Sequence, residues 1–348
     1  MLIKDKNDKT YSSRSVPIWF MRQAGRYLPE YHKLRHKEKS FLKTCFNPEV
    51  AAEISLQPII RFNFDFIILF ADILVIPHSL GQKVDFKEGI GPVLSKLDLS
   101  KMTCNSNKQA LKLLSPVYET IKIIKNKRLP QKVIGFCGGP FTVLTYMIEC
   151  GSSKKHENTM FFLKSNPNLT KYWIKKITDL SIEYLLGQIN AGADIIKVFD
   201  SWAGLLSEKE YEEYIIKPNK EIFNIIKKQK KDIQIIFFPR ESKKYIDLFL
   251  REIKCDIISI DQDLSKKNLN YCKEKNITIQ GNLSPQSLLE GGEKLFEEVK
   301  QIMEKYKENK HIFNLSHGVL PQTPLENVRR VVELVKSYEF TKRTSKNT

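Results

Sequence analysis

Two arginines that flank a short glycine-containing turn are the strongest chemical signal in the chain. Arg22 and Arg26 stand at the two ends of the segment RQAGR, directly after the apolar residues 18–21. Planar, permanently charged guanidinium groups can hold carboxylates or phosphates through paired hydrogen bonds. Gly25 lets the backbone approach a ligand closely. The segment therefore predicts an anion-binding loop, with a salt-bridged surface pair as the alternative.

A lone acidic residue, Asp72, interrupts a long apolar stretch. It follows the run FIILFA at 66–71 and precedes the run ILVI at 73–76. A single carboxylate is costly to bury unless it is paired or has a function. The pattern favours a functional carboxylate, and a helix cap or a structural partner for an arginine is the alternative.

Other polar residues follow apolar runs one at a time. Ser201 comes after the run that ends at Phe199, and His317 comes after 311–314. Tyr146 lies one helical turn beyond Thr142, so it can point back towards the same region. Taken singly, each of these residues fits a structural role as well as a ligand contact.

Eight short apolar runs alternate with longer helical patterns, and they supply the elements that must position these residues. The runs cover 16–20, 66–70, 132–136, 194–199, 233–238, 256–260, 277–280 and 311–314. Helices are predicted over 106–125 and 168–190, and helix starts at Asn47-Pro48 and Thr323-Pro324. Strands separated by helices predict a parallel sheet.

The chemistry-bearing residues follow the predicted strands, which favours an α/β fold of the (β/α)₈ barrel type with its site at the carboxyl ends of the strands. An open doubly wound sheet is the alternative, although the glycine-rich nucleotide motifs of that fold are absent after the first strands. We expect one domain over 1–348, with residues 1–14 and 341–348 as flexible tails.

Composition narrows the class of protein. With 41% hydrophobic and 28% charged residues, the chain is typical of a folded globular protein, and no apolar run is long enough to span a membrane. The formal net charge of +17 allows a nucleic acid, an anionic lipid or a multi-carboxylate substrate as partner. The lysines are spread over predicted helix faces, so we expect no nucleic-acid partner. The six cysteines are far apart, which indicates a reducing compartment and no structural zinc site.

Two longer segments carry a family resemblance. Residues 17–30 and 135–149 resemble the two signature segments of the uroporphyrinogen decarboxylase family, and shorter stretches at 70–74, 88–92, 198–204, 280–283 and 314–318 are also similar. The resemblance implies a (β/α)₈ barrel, commonly a homodimer, that needs no cofactor. It also implies a small-molecule substrate: the four acetate side chains of uroporphyrinogen would lose CO₂ to give coproporphyrinogen.

The resemblance also implies roles for individual residues. Arg22 and Arg26 would bind substrate carboxylates, and Asp72 would lie under the macrocycle and accept its pyrrole N–H groups. The remaining implied site residues shape the arginine loop or contact the substrate from other strand ends: Gln23, Ala24, Gly25, Tyr146, Ser201 and His317. Asp72 and Arg22 are the predicted catalytic residues, and either Arg22 or a water held by the arginines would donate the proton. The sequence departs from the family pattern at Cys150, at Pro239-Arg240-Glu241 and at Gln262.

Two alternatives stay open at this point. A zinc-dependent methyltransferase of the same barrel type would need cysteine ligands, yet no cysteine stands beside His317. A basic nucleic-acid-binding module would bind with strong salt dependence and show no turnover. We expect a cytoplasmic protein, or a plastid protein if a leader has been removed.

Overall fold

The computed structural model describes residues 16–35, 40–87, 89–96, 98–102 and 104–338, so the tails predicted at 1–14 and 341–348 lie outside the described residues. The strands are β1 (Phe66–Ile68), β2 (Val84–Lys87), β3 (Gly91–Leu94), β4 (Lys132–Gly138), β5 (Ile195–Asp200), β6 (Gln234–Pro239), β7 (Ile257–Ser259), β8 (Thr278–Leu283) and β9 (His311–Leu315). The α-helices are α1 (Pro29–Arg35), α2 (Phe41–Cys45), α3 (Pro48–Phe62), α4 (Val75–Ser79), α5 (Asn107–Asn126), α6 (Pro140–Glu149), α7 (Glu157–Ser165), α8 (Pro167–Asn190), α9 (Glu208–Tyr211), α10 (Lys217–Gln229), α11 (Ile246–Glu252), α12 (Lys266–Glu274), α13 (Pro285–Glu290), α14 (Gly292–Tyr306) and α15 (Leu325–Ser337). A π-helical turn at Glu212–Ile216 joins α9 to α10.

Seven of the strands form one curled parallel sheet in the order β1-β4-β5-β6-β7-β8-β9. Helices connect successive strands, and β4 and β5 are buried along nearly their whole length. This confirms the predicted parallel sheet with helices between its strands. The order of these strands does not reverse, whereas a doubly wound sheet needs a reversal at its switch point.

The antiparallel hairpin of β2 and β3 lies between β1 and β4 in the chain and outside the main sheet. The hairpin was not predicted from the sequence, because neither strand is a continuous apolar run and each carries exposed or half-buried residues. The hairpin contacts the end of α6 through a bridge between Val93 and Gly151.

The first apolar run, predicted as a strand over 16–20, pairs only through an isolated parallel bridge between Ile18 and Phe313. Pro17 has no N–H to donate, and the N–H of Ile18 donates to the Asp65 carboxylate at 2.8 Å instead of to a neighbouring strand. The Phe313 N–H donates to the Pro17 carbonyl at 2.8 Å, and the Asp65 N–H donates to the Ile18 carbonyl at 3.0 Å. The segment therefore lies between β9 and β1.

The helix start signals are largely confirmed. The Asn47 side chain accepts the Val50 N–H at 3.3 Å at the start of α3, and Ser106 and Gln109 form a capping box on α5. At α15 the prediction fails in detail, since Pro324 is the N-cap and makes no side-chain capping bond. In the described part of the chain, no helix is both long enough and apolar enough to cross a bilayer.

Candidate active site

The predicted site residues lie where the parallel strands end. Asp72 follows β1, Tyr146 is on α6 just after β4, Ser201 directly follows β5, and His317 follows β9. Arg22 follows the segment that lies between β9 and β1. Because the carboxyl ends of parallel strands share one edge, these side chains are brought to the same end of the sheet.

Gln23 fixes the arginine loop to the sheet. Its side chain is fully buried. The carboxamide oxygen accepts the Phe20 N–H at 3.2 Å, and the carboxamide nitrogen donates to the Phe66 carbonyl at 2.9 Å. The Tyr27 hydroxyl donates to the Gln23 carbonyl at 2.8 Å. Gln23 thus shapes the loop from inside, and its carboxamide is occupied by these backbone contacts.

Arg22 has a backbone conformation that a non-glycine residue seldom adopts, with φ of +60°. The preceding Met21 N–H donates to the Asn314 side chain at 3.0 Å, which ties this turn to β9. A Cβ on Gly318 would lie 2.3 Å from Cδ of Arg22, so the arginine stem packs directly on that glycine. The side chain reaches the opening of the site, while surrounding protein atoms lower the pKa of its guanidinium.

The rest of the loop places a second guanidinium at the rim. Ala24 and Gly25 are half-buried, and the Gly25 carbonyl accepts the Leu28 N–H at 3.0 Å. Arg26 is exposed, and its charge acts on Arg22. Two like charges held close together without a carboxylate between them in the loop favour an anionic ligand.

Asp72 is half-buried at the end of β1 and carries a perturbed carboxyl group. One carboxylate oxygen accepts the Leu74 N–H at 2.8 Å. Burial raises the pKa of Asp72 to about 6, although the Leu74 hydrogen bond and the Arg22 charge both act to lower it. The carboxylate is therefore ionised at neutral pH and has few partners, so it can respond strongly to a positive charge that develops beside it.

Tyr146 and His317 border the Arg22 and Asp72 pair. Burial raises the pKa of Tyr146, and the Asp72 charge adds to this rise while Arg22 opposes it. Burial lowers the pKa of His317 to about 3, with further lowering by Arg22 and Arg240. The tyrosine hydroxyl and the imidazole are thus neutral at physiological pH and can exchange single hydrogen bonds with a ligand.

Ser201 follows a buried carboxylate that has a structural role. Asp200 accepts hydrogen bonds from the Thr142 hydroxyl at 2.6 Å and from the Asn219 amide at 3.2 Å, and burial raises its pKa to about 6. A Cβ on Gly139 would lie 2.4 Å from the Asp200 carboxylate carbon, so the glycine turn after β4 closes over this group. Ser201 is half-buried at the end of β5, beside this closed turn.

Arg240 is a further residue of this region that was not predicted as a site residue, although it follows a predicted strand and departs from the family pattern. It is half-buried directly after β6, and its charge acts on Arg22, Tyr146 and His317. Its position after an apolar run was the available signal. The side chains that lie near Arg240 could not be predicted, because they are brought there by the tertiary structure.

A fully buried lysine lies inside the sheet on β5. Nζ of Lys197 donates to the Ser259 hydroxyl at 3.2 Å. It lies 5.0, 4.7 and 5.0 Å from the ring centroids of Trp19, Phe199 and Phe238. Burial lowers the pKa of Lys197 well below its usual range. Burial therefore disfavours the charged form of this amine beneath the strand ends.

The donor set around His317 does not suit a metal ion. The charges that act on His317 are the guanidiniums of Arg22 and Arg240, which would repel a cation. Across the residues that the structure describes, no three histidine, cysteine, aspartate or glutamate side chains form a group able to hold a metal ion.

Sequence comparison identifies the relatives of this chain. The model of the family described as "Uroporphyrinogen decarboxylase (URO-D)" matches residues 9–338. A protein from Rickettsia felis named uroporphyrinogen decarboxylase is 42% identical over 334 residues, which cover 94% of this chain and 95% of the relative. A protein of the same name from Orientia tsutsugamushi (strain Ikeda) is 44% identical over 331 residues, covering 93% and 94% of the two chains.

Structural comparison finds the same fold in more distant proteins. A methyltransferase from Methanosarcina mazei aligns over 92% of this chain and 93% of its own, with a TM-score of 0.73 and 20% identity. A B12-independent methionine synthase from Shewanella sp. W3-18-1 aligns over 93% of this chain and 96% of its own, with a TM-score of 0.52 and 13% identity. At these identities the likeness concerns the fold alone.

Proposed function

The chain belongs to the uroporphyrinogen decarboxylase family, and we propose that it removes CO₂ stepwise from the four acetate side chains of uroporphyrinogen III to give coproporphyrinogen III. The observation that carries the proposal is a half-buried carboxylate, Asp72, with a guanidinium from the arginine loop acting on it at the strand ends. The proposed reaction uses no cofactor.

The chemistry requires an electron sink, because breaking the bond to CO₂ leaves an electron pair on carbon. A pyrrole can supply this sink itself. Protonation of the ring carbon beside nitrogen, next to the carbon that carries the acetate arm, makes the ring a cation conjugated to that arm. Loss of CO₂ then moves the electron pair into the ring and leaves an exocyclic methylene group. Protonation of that methylene carbon gives the methyl group, and loss of the first proton from the ring carbon restores the pyrrole.

Asp72 is the residue we assign to stabilise the cationic ring. Its carboxylate accepts pyrrole N–H groups in the proposed complex, and a preorganised negative charge in a partly desolvated position stabilises a positive charge that forms beside it. The Leu74 N–H holds one oxygen at 2.8 Å, which fixes the carboxylate before substrate binds. Tyr146, Ser201 and His317 would contact the substrate from the neighbouring strand ends.

The arginine loop binds substrate carboxylates in this proposal. Arg22 and Arg26 offer two guanidiniums, and Gln23, Ala24 and Gly25 shape the loop that carries them. The first proton comes either from Arg22 or from a water that the arginines orient. The lowered pKa of Arg22 makes its guanidinium a better acid than an exposed arginine.

The fold we propose is a closed (β/α)₈ barrel that forms a single domain. Pro17 is hydrogen-bonded to β9, and Ile18 is hydrogen-bonded to Asp65, immediately before β1. These contacts support the segment as the eighth element of the barrel wall. We also propose a homodimer, with no nucleic-acid partner, in the bacterial cytoplasm. The relatives reported above are bacterial and give the plastid alternative no support.

Anaerobic incubation of the purified protein with uroporphyrinogen, followed by oxidation and chromatography of the porphyrins, tests the proposal. We expect the octacarboxylate to give products with seven, six, five and finally four carboxylates. Asp72→Asn should leave the octacarboxylate unconverted. Asp232→Asn, which changes an exposed carboxylate before the amino end of β6 and so at the opposite end of that strand from the site, should convert it at the wild-type rate. Wild-type protein that is folded but releases no CO₂ would refute the proposal.

A further inference from the structure

We propose that Arg240 is a third carboxylate-binding residue of the site and that Glu241 occupies it until the substrate arrives. The inference rests on the proposed function, since it requires a ligand with several carboxylates. Arg240 would bind a peripheral carboxylate of that ligand, and it would do so from a different strand end than the arginine loop.

The position of Arg240 supports this role. The Arg240 N–H donates to the Asp200 carbonyl at 3.1 Å, which continues the pairing of β6 with β5 up to the strand ends. The charge of Arg240 acts on Arg22, Tyr146 and His317, which come from three other parts of the chain. Arg240 therefore faces the same space as the predicted catalytic pair.

The backbone of the following residue is held rigidly. Glu241 has φ of +58°, and its N–H donates to the Asp261 carboxylate at 2.8 Å. A Cβ on Gly204 would lie 2.2 Å from the Glu241 carbonyl oxygen, so the two backbones are in close contact. The Ser242 hydroxyl donates to the Pro239 carbonyl at 2.5 Å on the other side of the turn. These contacts fix the backbone of the turn from which the Arg240 side chain extends.

Charge explains why a ligand would engage Arg240. Arg22 and Arg240 are like charges that act on each other, and the contact of Arg240 with the Glu241 carboxylate compensates part of this repulsion. The Glu241 side chain is 45% exposed, and an ion pair with an exposed partner contributes little free energy. A substrate that is already held by the arginine loop can therefore place a further carboxylate on Arg240 and replace Glu241 at small cost.

The test compares Arg240→Gln, Arg240→Lys, Glu241→Gln and the double variant Arg240→Gln/Glu241→Gln, with Arg251→Gln on the exposed face of α11 as the matched control. Two readouts are used: kcat and KM for uroporphyrinogen, and the Kd of oxidised uroporphyrin, an unreactive octacarboxylate, from quenching of tryptophan fluorescence. Thermal unfolding verifies that each variant folds. If Arg240→Gln does not fold, Arg240→Lys still tests this position with the positive charge retained.

We expect Arg240→Gln and the double variant to raise KM and Kd about tenfold with kcat within twofold, because a peripheral contact binds substrate and transition state equally. Glu241→Gln should lower both constants about two- to threefold, and Arg240→Lys should lie between Arg240→Gln and wild type. Arg251→Gln should change neither constant.

Two results would overturn the proposal. Unchanged KM and Kd in Arg240→Gln would exclude Arg240 as a ligand contact. Equal weakening in Glu241→Gln and Arg240→Gln would show that the two residues act only as a structural pair. Failure of the wild-type protein to release CO₂ would instead count against the proposed function, while the uroporphyrin titrations would still test Arg240 separately.

Discussion

Replacing Asp72 with asparagine should stabilise the protein and remove its proposed activity. Asparagine has nearly the same shape as aspartate, and its side-chain oxygen can still accept the Leu74 N–H. The substitution therefore removes the negative charge and keeps the local hydrogen bond. Any change in the free energy of unfolding then reports the cost of holding that charge in the site.

The magnitude follows from the pKa of Asp72, which burial raises from 3.8 to about 6. A carboxyl group with a higher pKa in the folded protein binds its proton more tightly there than in the unfolded chain. The folded state therefore loses stability as the pH rises between these two values, by about 1.4 kcal/mol per pH unit. Above pH 6 the full loss is about 3 kcal/mol, and the neutral asparagine avoids it.

Urea unfolding at pH 5 and pH 8 measures this effect in the wild type, in Asp72→Asn and in the Asp232→Asn control. The advantage of Asp72→Asn over wild type should be about 3 kcal/mol at pH 8 and about half of that at pH 5. The control, at an exposed residue, should remain within about 0.5 kcal/mol of wild type at both values.

The reasoning is refuted if Asp72→Asn is less stable than wild type at both pH values, because the carboxylate would then be a structural partner of Arg22. It is also refuted if the stability difference does not change with pH. In that case the Asp72 charge would not destabilise the folded protein, and Asp72 would behave like a carboxylate on the protein surface.

Three further outcomes follow from the site and the core. The kcat/KM for uroporphyrinogen should fall about tenfold per pH unit below about pH 6, because protonated Asp72 cannot stabilise a cation. A kcat/KM that stays constant down to pH 5 would contradict this. Gly318→Ala should raise KM about tenfold or more with little change in melting temperature, because the new Cβ would lie 2.3 Å from Cδ of Arg22. An unchanged KM would show that this contact does not position the Arg22 guanidinium. Lys197→Met should raise the free energy of unfolding at pH 7, because burial lowers the pKa of the amine and opposes its charged form in the folded protein. The gain should shrink as the pH approaches 10.5, and equal stabilities of the two proteins at pH 7 would contradict this reasoning.

Most of the sheet was predictable from the sequence, because its strands are buried on both faces and appear as continuous apolar runs. The seven strands from β1 to β9, without the hairpin, fall within or next to predicted runs. The first run was overpredicted, since an apolar pattern does not reveal that Pro17 cannot donate and that Ile18 donates to a carboxylate. The hairpin of β2 and β3 was missed because its half-exposed strands give no such run.

The candidate site was only partly predictable. Arg22 and Asp72 stood out because charged groups next to apolar runs are unusual, and the structure brings these two together. Asp72 does not make the helix cap that was its structural alternative, since the N-cap of α4 is Leu74 without a side-chain capping bond; the carboxylate only accepts the Leu74 N–H two residues on. The meeting of Arg240 with Arg22 depends on how distant strands are arranged, and sequence spacing carries no information about it.

The packing of Arg22 on Gly318 joins the beginning of the described chain to its last strand. A nascent chain leaving the ribosome therefore lacks this pocket until almost all of β9 and the turn after it have been synthesised. Asp72 and the arginine loop come early in translation, but the glycine on which Arg22 packs follows all seven strands of the parallel sheet. Assembly of the pocket thus requires the complete parallel sheet, and chains that end before Gly318 should be catalytically inactive.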